Sequence, residues 1–253
     1  MHSISSAAPT YQQITSIQQV DALKSLYADR NFTPQAWTDP ADYAFLGIHL
    51  VERSIALLAP KLRGEFLDVG CGTQPYAKYF DHLPLRHACD FDPGRGNVNF
   101  ACPADKIPVP DGTYDSILCT EVLEHTPDAL AVWREFFRVL RPGGRVLLST
   151  PMYWPSHEQP YDFNRFPAHG LQYLAEKAGF TVEHLLPRGG VWAFFGQVVL
   201  HVMPQYFRPA LQRRLWNRLC LRLDRWRTNP SLSIGWTILA VKPSASPGES
   251  SVG

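Results

Sequence analysis

The chain is expected to fold as an α/β protein, a mostly parallel sheet flanked by helices, and three observations lead there. An apolar segment runs into a glycine-pinched turn at Leu67 to Tyr76. Helical and strand periods then alternate along the chain. At 253 residues with 45% hydrophobic content, there is also enough apolar material to bury one substantial core. Strand and helix in alternation imply right-handed crossovers, and ligands of such sheets lie at the carboxyl ends of the strands.

The elements follow in order. From Ala41 to Leu62, apolar residues at Phe45, Ile48, Val51, Ile55 and Leu58 recur at helical spacing, so a helix leads into the first strand and covers the sheet or the ligand entrance. The run LDVGCGTQPY, Leu67 to Tyr76, then joins a strand, a turn and a helix start. Gly70 and Gly72 lack Cβ atoms, so the backbone there takes dihedrals closed to other residues and a ligand can approach the peptide plane. Pro75 suits the first turn of a following helix. A dinucleotide loop needs GxGxxG with amides aimed at pyrophosphate. The third glycine is missing here and Pro75 removes a donor, which argues against a pyrophosphate. Taken alone, a GxG after a strand is weak evidence for any ligand, and a merely structural turn is the minority alternative.

His87 to Asp90 reads as a second strand, ending in a carboxylate placed to accept the ribose hydroxyls of an adenosine. A turn at Ile107 to Thr113 precedes a strong strand, Tyr114 to Cys119, with Thr120 to His125 as its exit loop. Asp128 to Leu140 has helical spacing through Leu130, Val132, Trp133, Phe136, Phe137 and Leu140, with Pro127 near its start. Pro142-Gly143-Gly144 reads as a turn before the strand Arg145 to Thr150. Asp115, Gly143 and Gly144 are read as structural.

As a set, LDVGCGT (Leu67 to Thr73), Asp90, IPVPDGTYDSIL (Ile107 to Leu118), TEVLEH (Thr120 to His125) and LRPGG (Leu140 to Gly144) resemble the class I S-adenosylmethionine-dependent methyltransferases of the type 11 group, over about residues 60 to 187. The resemblance implies a Rossmann-like, seven-stranded sheet, S-adenosyl-L-methionine as cofactor and methyl transfer by in-line displacement. By position it implies that Asp68, Gly70 and Gly72 lie along the methionine half of the cofactor and that Asp90 binds the ribose. Cys71 and Phe91 lie beside them, Ala104 and Asp105 are adenine contacts, and Thr120 and Glu121 border the sulfonium. Two positions depart from the family: Gln74 replaces a third glycine, and Pro103 stands where an acidic residue near the adenine is common. Asp68 also has a bland role open to it, holding the glycine turn through backbone N–H groups.

The segment Thr150 to Phe166 is too rich in aromatic and polar groups for a plain connector and lies where an acceptor would meet the methyl group. Tyr153, Tyr161 and Arg165 are its candidate substrate contacts. The alternative is that His157, Tyr161 and Arg165 brace the loop, with Arg165 paired to Asp162. An oxygen or nitrogen acceptor can need a base, for which His125 and His157 are the candidates and Glu124 a weaker one. His125 as a helix cap is the competing reading.

A balance of 24 basic and 23 acidic side chains supplies no global field for nucleic acid, and none is expected as partner. Five cysteines, odd in number and without ligand spacing, point to a reducing compartment and no metal. Met1 to Gln19 lacks signal-peptide character, so a cytoplasmic location and a loose tail are expected. The expected organisation is a tail and helical lead-in over 1–40, one catalytic domain over 41–243 and a disordered tail over 244–253.

Strands at Thr181 to Leu186 and Ile234 to Val241 bracket a helical insertion, 191–230, before the last strand. Val191 to Met203 is strongly apolar yet too short to span a bilayer. Ala210 to Arg227 sets Leu211, Leu215, Leu219 and Trp226 on one helical side and Arg214, Arg218, Arg222 and Arg225 on the other, with Asp224 its only acid. Such a helix packs on a core or dimer interface, or lies in a membrane surface through 191–227. In the second case the acceptor could be lipid-linked rather than a free small molecule or sugar, and the enzyme peripheral at the inner face of a membrane. The runner-up function is a catalytically silent methyltransferase-like module that binds a partner through the arginine-rich insertion. A nicotinamide dehydrogenase ranks third.

Overall fold

Strands form where apolar runs end at turn residues, and in a computed structural model, which describes residues 16–26, 39–94 and 96–244, there are seven of them in one sheet. They are β1 (Glu65–Val69), β2 (Leu85–Asp90), β3 (Phe100–Ala101), β4 (Tyr114–Thr120), β5 (Leu140–Pro151), β6 (Thr181–Pro187) and β7 (Gly235–Val241). The order across the sheet is β3-β2-β1-β4-β5-β7-β6. All neighbours are parallel except β7, which runs antiparallel to both β5 and β6. The carboxyl ends of β1, β2, β4, β5 and β6 therefore share one edge, and the glycine turn sits at its middle.

Alternate strand residues feed two cores. Leu67, Val69, Ile117, Cys119, Val146, Leu148, Ile238 and Ala240 pack under α3 (Ala129–Val139) and α4 (Ala168–Lys177). Phe66, Leu118, Leu147 and Leu239 face the other way, against Val51, Ile55 and Leu58 of α2 (Phe45–Leu58). The period of two comes from the pleat, which turns successive side chains to opposite faces. α3 begins on Asp128, whose carboxylate accepts the Ala131 N–H at 3.0 Å, a cap that stabilises by about 1 kcal/mol. It buries Val132, Trp133, Phe136 and Val139 completely.

The elements differ from expectation in four places. No α-helix starts at Pro75; a single 3-10 turn, Ala77–Phe80, follows instead. Gly72 (φ 48°) and Gln74 (φ 55°) keep the chain turning up to the proline. Pro142-Gly143-Gly144 is a bulge inside β5 rather than a turn before it. Leu140 pairs with Tyr114 and Arg145 with Ser116, and Gly143 takes φ 80°. The loose N-terminal tail expected over Met1 to Gln19 gives way, from Ser16, to the helix α1 (Ser16–Leu26), which buries Leu23 and Leu26. The rest of the expected tails, 1–15, 27–38 and 245–253, lies outside the described residues.

The fourth difference is in the insertion, which forms α5 (Val191–Val202) and α6 (Ala210–Trp226). α6 does not turn its leucines inward. Leu211, Leu215, Leu219 and Trp226 are 66%, 59%, 48% and 71% exposed, while Asn217, Cys220 and Asp224 are buried. The inward face is set by backbone groups that need partners. Asn217 Nδ2 donates to the carbonyls of Pro40 and Asp42, Asp224 accepts the N–H groups of Gly190 and Trp192, and Arg213 donates to the carbonyls of Ala41 and Phe207. Leaving such groups buried and unpaired costs more than exposing a few leucines gains back. At about 100° per residue, the leucine and arginine ridges also lie side by side on the outer surface, not on opposite sides.

Candidate active site

The turn after β1 is tied to β2, since Gly70 and Cys71 N–H groups both donate to the Cys89 carbonyl. The two glycines of the turn do different work. A Cβ on Gly70 (φ 65°) would lie 2.2 Å from Val122, so that glycine lets the exit loop of β4 close on the turn. A Cβ on Gly72 (φ 48°) would meet nothing within 4 Å. Space therefore adjoins the Gly72 backbone, as a ligand approaching the peptide plane requires.

Asp90 faces this turn from β2. Its Oδ2 accepts the Gly72 N–H and its Oδ1 the Asp92 N–H, both at 2.9 Å. The carboxylate thus fixes the mouth of the crevice while retaining acceptor capacity. Phe91, next in sequence, is 73% exposed, an uncovered ring at the crevice rim. Gly96 lies close against the Gly72 carbonyl, where a Cβ would intrude to 2.1 Å. Beyond β3, Cys102 N–H donates to the Asp90 carbonyl, which brings Ala104, buried, and Asp105, exposed, onto the same side. Cys71 is buried beneath the turn.

Asp68 is 7% exposed and its Oδ1 has no hydrogen-bond partner among the described residues. Burial first, then the charge of Asp90, raises its carboxyl to about 7. Arg188 is 1% exposed, with Nη1 on Glu121 Oε1 at 2.8 Å and with Nε and Nη2 unpartnered among the described residues. Both Asp68 and Arg188 act electrostatically on the buried Tyr76 phenol, which burial pushes up. Around Tyr76 the fold thus holds a buried anion-former and a buried cation, each with hydrogen-bonding atoms unpartnered among the described residues. Arg188 escaped the sequence reading. The signal for it was an isolated arginine before Gly189-Gly190 at the carboxyl end of an apolar strand; a Cβ on Gly235 would sit 1.9 Å from its guanidinium.

Thr120 ends β4, and Glu121 follows in a left-handed conformation, φ 53°. That turn aims Glu121 at Ser149, whose hydroxyl donates to Oε1 at 2.8 Å, and at Arg188. Glu124 is fully buried; Thr150 donates to its Oε2 at 3.2 Å, while its Oε1 has no partner among the described residues. Burial, then Glu121, holds its carboxyl well above the usual carboxylate range.

The loop from Tyr153 to Phe166 is sewn to this exit turn. Phe163 and Asn164 N–H groups donate to the Glu124 carbonyl, Asn164 Nδ2 donates to the Thr126 carbonyl at 2.8 Å, and His125 Nδ1 contacts the Tyr161 carbonyl at 2.6 Å. His125 and His157 come together with ring centroids 4.7 Å apart. Tyr153 packs on Phe194 and His201 of α5, and Trp154 meets His201 as well. The Tyr161 side chain points outward, 58% exposed. Arg165 spends its guanidinium on Asp162 at 2.6 and 3.0 Å and on the carbonyls of Asn164 and Trp154, which is the bracing geometry.

The family described as "Methyltransferase domain" matches residues 43–185. A ubiquinone biosynthesis O-methyltransferase of Xanthomonas oryzae pv. oryzae is 30% identical over 145 residues, covering 52% of this chain and 50% of that protein. A probable S-adenosylmethionine-dependent methyltransferase of Mycolicibacterium smegmatis is 38% identical over 87 residues, 32% of this chain and 34% of that one. The chain thus spans about half the length, or less, of the curated relatives it matches. Among solved structures, an S-adenosylmethionine-dependent methyltransferase from Mesorhizobium loti superposes with TM-score 0.52 at 14% identity, over 78% of this chain and 99% of that one. The [4+2]-cyclase SpnF superposes with TM-score 0.51 at 18% identity, over 94% and 97%. These two likenesses show the fold. With the family match over more than half its length and the glycine turn, acid and exit-loop motifs placed at one edge of such a sheet, the chain belongs to the methyltransferase-domain family of class I S-adenosylmethionine-dependent enzymes.

Proposed function

We propose that the protein transfers the methyl group of S-adenosylmethionine to an acceptor admitted along the Tyr153 to Phe166 loop. One observation carries this reading: around the buried Tyr76, Asp68 Oδ1 and Arg188 Nε and Nη2 have no hydrogen-bond partner among the described residues. A buried acid and a buried guanidinium with such atoms suit a zwitterion, and the amino-acid end of S-adenosylmethionine is one. Asp90 and Phe91 would take the ribose and adenine side, with Ala104 and Asp105 beyond, and Thr120 and Glu121 would border the sulfonium. When bound, S-adenosylmethionine would supply an electrophilic methyl carbon to the acceptor's lone pair, with the carbon–sulfur bonding pair returning to sulfur. The protein aligns the two and excludes water, an effect worth up to ~7–11 kcal/mol when geometry is well fixed. His125 and His157, with Glu124 behind them, would act on the acceptor. The names of the Xanthomonas relatives support an oxygen acceptor.

Calorimetric titration tests the cofactor half. S-adenosylmethionine should bind, and Asp90→Ala should weaken it by about 1–3 kcal/mol with an unchanged circular dichroism spectrum. Preference for NAD would overturn the reading. Incubation of a cell extract with radiolabelled cofactor tests the chemistry. Label in a small-molecule or lipid fraction is expected, whereas binding without any labelled product would leave a silent module.

The insertion favours a lipid surface as the place of work. Phe194 and His201 of α5 meet the acceptor loop, and Gly196 meets α6, accepting from Trp216 Nε1 at 3.1 Å. At about 100° per residue, the exposed Phe195 and Val202 fall between those two faces. The outer leucine ridge of α6 lies on its α5 side, so apolar surface runs from the site mouth across both helices. Arg218, Arg222 and Arg225 border it, without ion-pair partners among the described residues. No helix is long and apolar enough to cross a membrane. An anionic bilayer matches an apolar face edged by unpaired arginines, and the acceptor would then be lipid-linked, at the cytoplasmic face. The protein should co-sediment with phosphatidylglycerol vesicles but not with pure phosphatidylcholine, in a salt-sensitive way, and Leu215→Glu/Leu219→Glu should abolish it. No partition, or a dimer that the same substitutions dissolve, would show that another chain covers this face.

A further inference from the structure

Glu124, His125 and His157 come from two separate segments, yet one ligand atom from each lies within 4.8 Å of the others. Each contributes in a definite state. Glu124 is fully buried and its Oε1 is unpartnered among the described residues, so the fold aims a carboxylate oxygen into this space and gives it nothing to bind. His125 turns Nδ1 to the Tyr161 carbonyl at 2.6 Å, which makes Nδ1 the protonated nitrogen and leaves Nε2, 3.9 Å from Glu124 Oε1, as the free acceptor. His157 turns Nδ1 to the Pro155 carbonyl at 3.2 Å, with Asp162 Oδ2 at 3.8 Å on the same side, again leaving Nε2 as the free acceptor.

We propose that these three side chains form a divalent-cation site facing the acceptor loop, of the two-imidazole, one-carboxylate kind that suits a first-row metal ion and leaves coordination positions open. Ligating histidines characteristically donate their other ring N–H to a carbonyl or carboxylate, which fixes tautomer and ring orientation; both imidazoles do so here before any ion binds. Metal–nitrogen distances of about 2.0–2.1 Å require the three atoms to draw closer. His157, on the outer loop, is the one free to move, since Glu124 and His125 are anchored in the exit turn. Coordination positions left open on such an ion suit an acceptor that offers two adjacent oxygens. The expectation of a metal-free protein rested on cysteine spacing and did not weigh this carboxylate–imidazole set. The inference refines how the proposed transferase engages its acceptor and rests on that reading only for the acceptor.

The test uses the metal alone. Purified protein stripped with chelator and titrated with Mn2+, followed by electron paramagnetic resonance and by calorimetry with Zn2+, should bind one ion per chain. His157→Ala and Glu124→Gln should each weaken binding at least tenfold while S-adenosylmethionine affinity stays within twofold. Thermal melts identify any variant that fails to fold, and His157→Ala, on the loop surface, carries the test if Glu124→Gln does. Absence of binding up to millimolar ion, or binding that neither substitution changes, would overturn the site even if cofactor binding and methyl transfer are intact. Failure of cofactor binding with metal binding preserved would instead sink the proposed function.

Discussion

Asp68 shows how a residue that the sequence identifies can carry a cost the sequence does not reveal. Its ordinary value of 3.8 rises to about 7 because the side chain is sealed under the glycine turn near Asp90. Between those values the unfolded chain has released the proton and the folded chain has not, so stability falls as pH rises from about 4 to about 7 and stays reduced above. Asp68→Asn should therefore be more stable than the parent at pH 8, by on the order of 1–3 kcal/mol, and thermal melts of the two should converge near pH 4. The same variant should bind S-adenosylmethionine weakly. A melt difference that is flat with pH would mean Asp68 is ionised in the free protein. The motif LDVGCG made Asp68, Gly70 and Gly72 legible because all three act within one turn. Arg188 was not, because its meaning depends on Glu121 and Tyr76, brought to it from other elements by the sheet order. Nor did the sequence distinguish Gly70, pressed on Val122, from Gly72, which opens onto space.

At the scale of elements, the apolar period located most helices to within a few residues. α3 was readable because its apolar spacing matches the face it buries. α6 misled for a physical reason. Its apolar ridge was legible, but the tie to the fold runs through Asn217, Asp224 and Arg213, which answer backbone groups at 40–42, 190, 192 and 207. Amphipathicity tells which side is apolar; it does not tell whether neighbouring backbone needs partners more than the leucines need cover. The glycine-turn helix failed likewise, since Pro75 is as compatible with a turn as with a first helical turn.

For the whole molecule, the family match ends at 185, yet the sheet does not. β7 lies between β5 and β6 and contributes Ile238, Leu239 and Ala240, all fully buried. A fragment ending at 187 would leave β6 without a neighbour and both cores open along β5. It should show no cooperative thermal transition and should be cleaved rapidly by protease, whereas the full chain melts in one step; a sharp melt of the fragment would show that β7 is dispensable. Strand alternation predicted the parallel part of this sheet, because each crossover is local. The antiparallel insertion of β7 was out of reach, since only long-range pairing decides it.

That inserted strand also sets a condition on biosynthesis. During translation, one flank of β5 stays bare while α4, β6, α5 and α6 are made, and any foreign strand could zip onto it in that interval. Chaperone occupancy of nascent chains should accordingly peak after β5 leaves the ribosome and drop once β7 does.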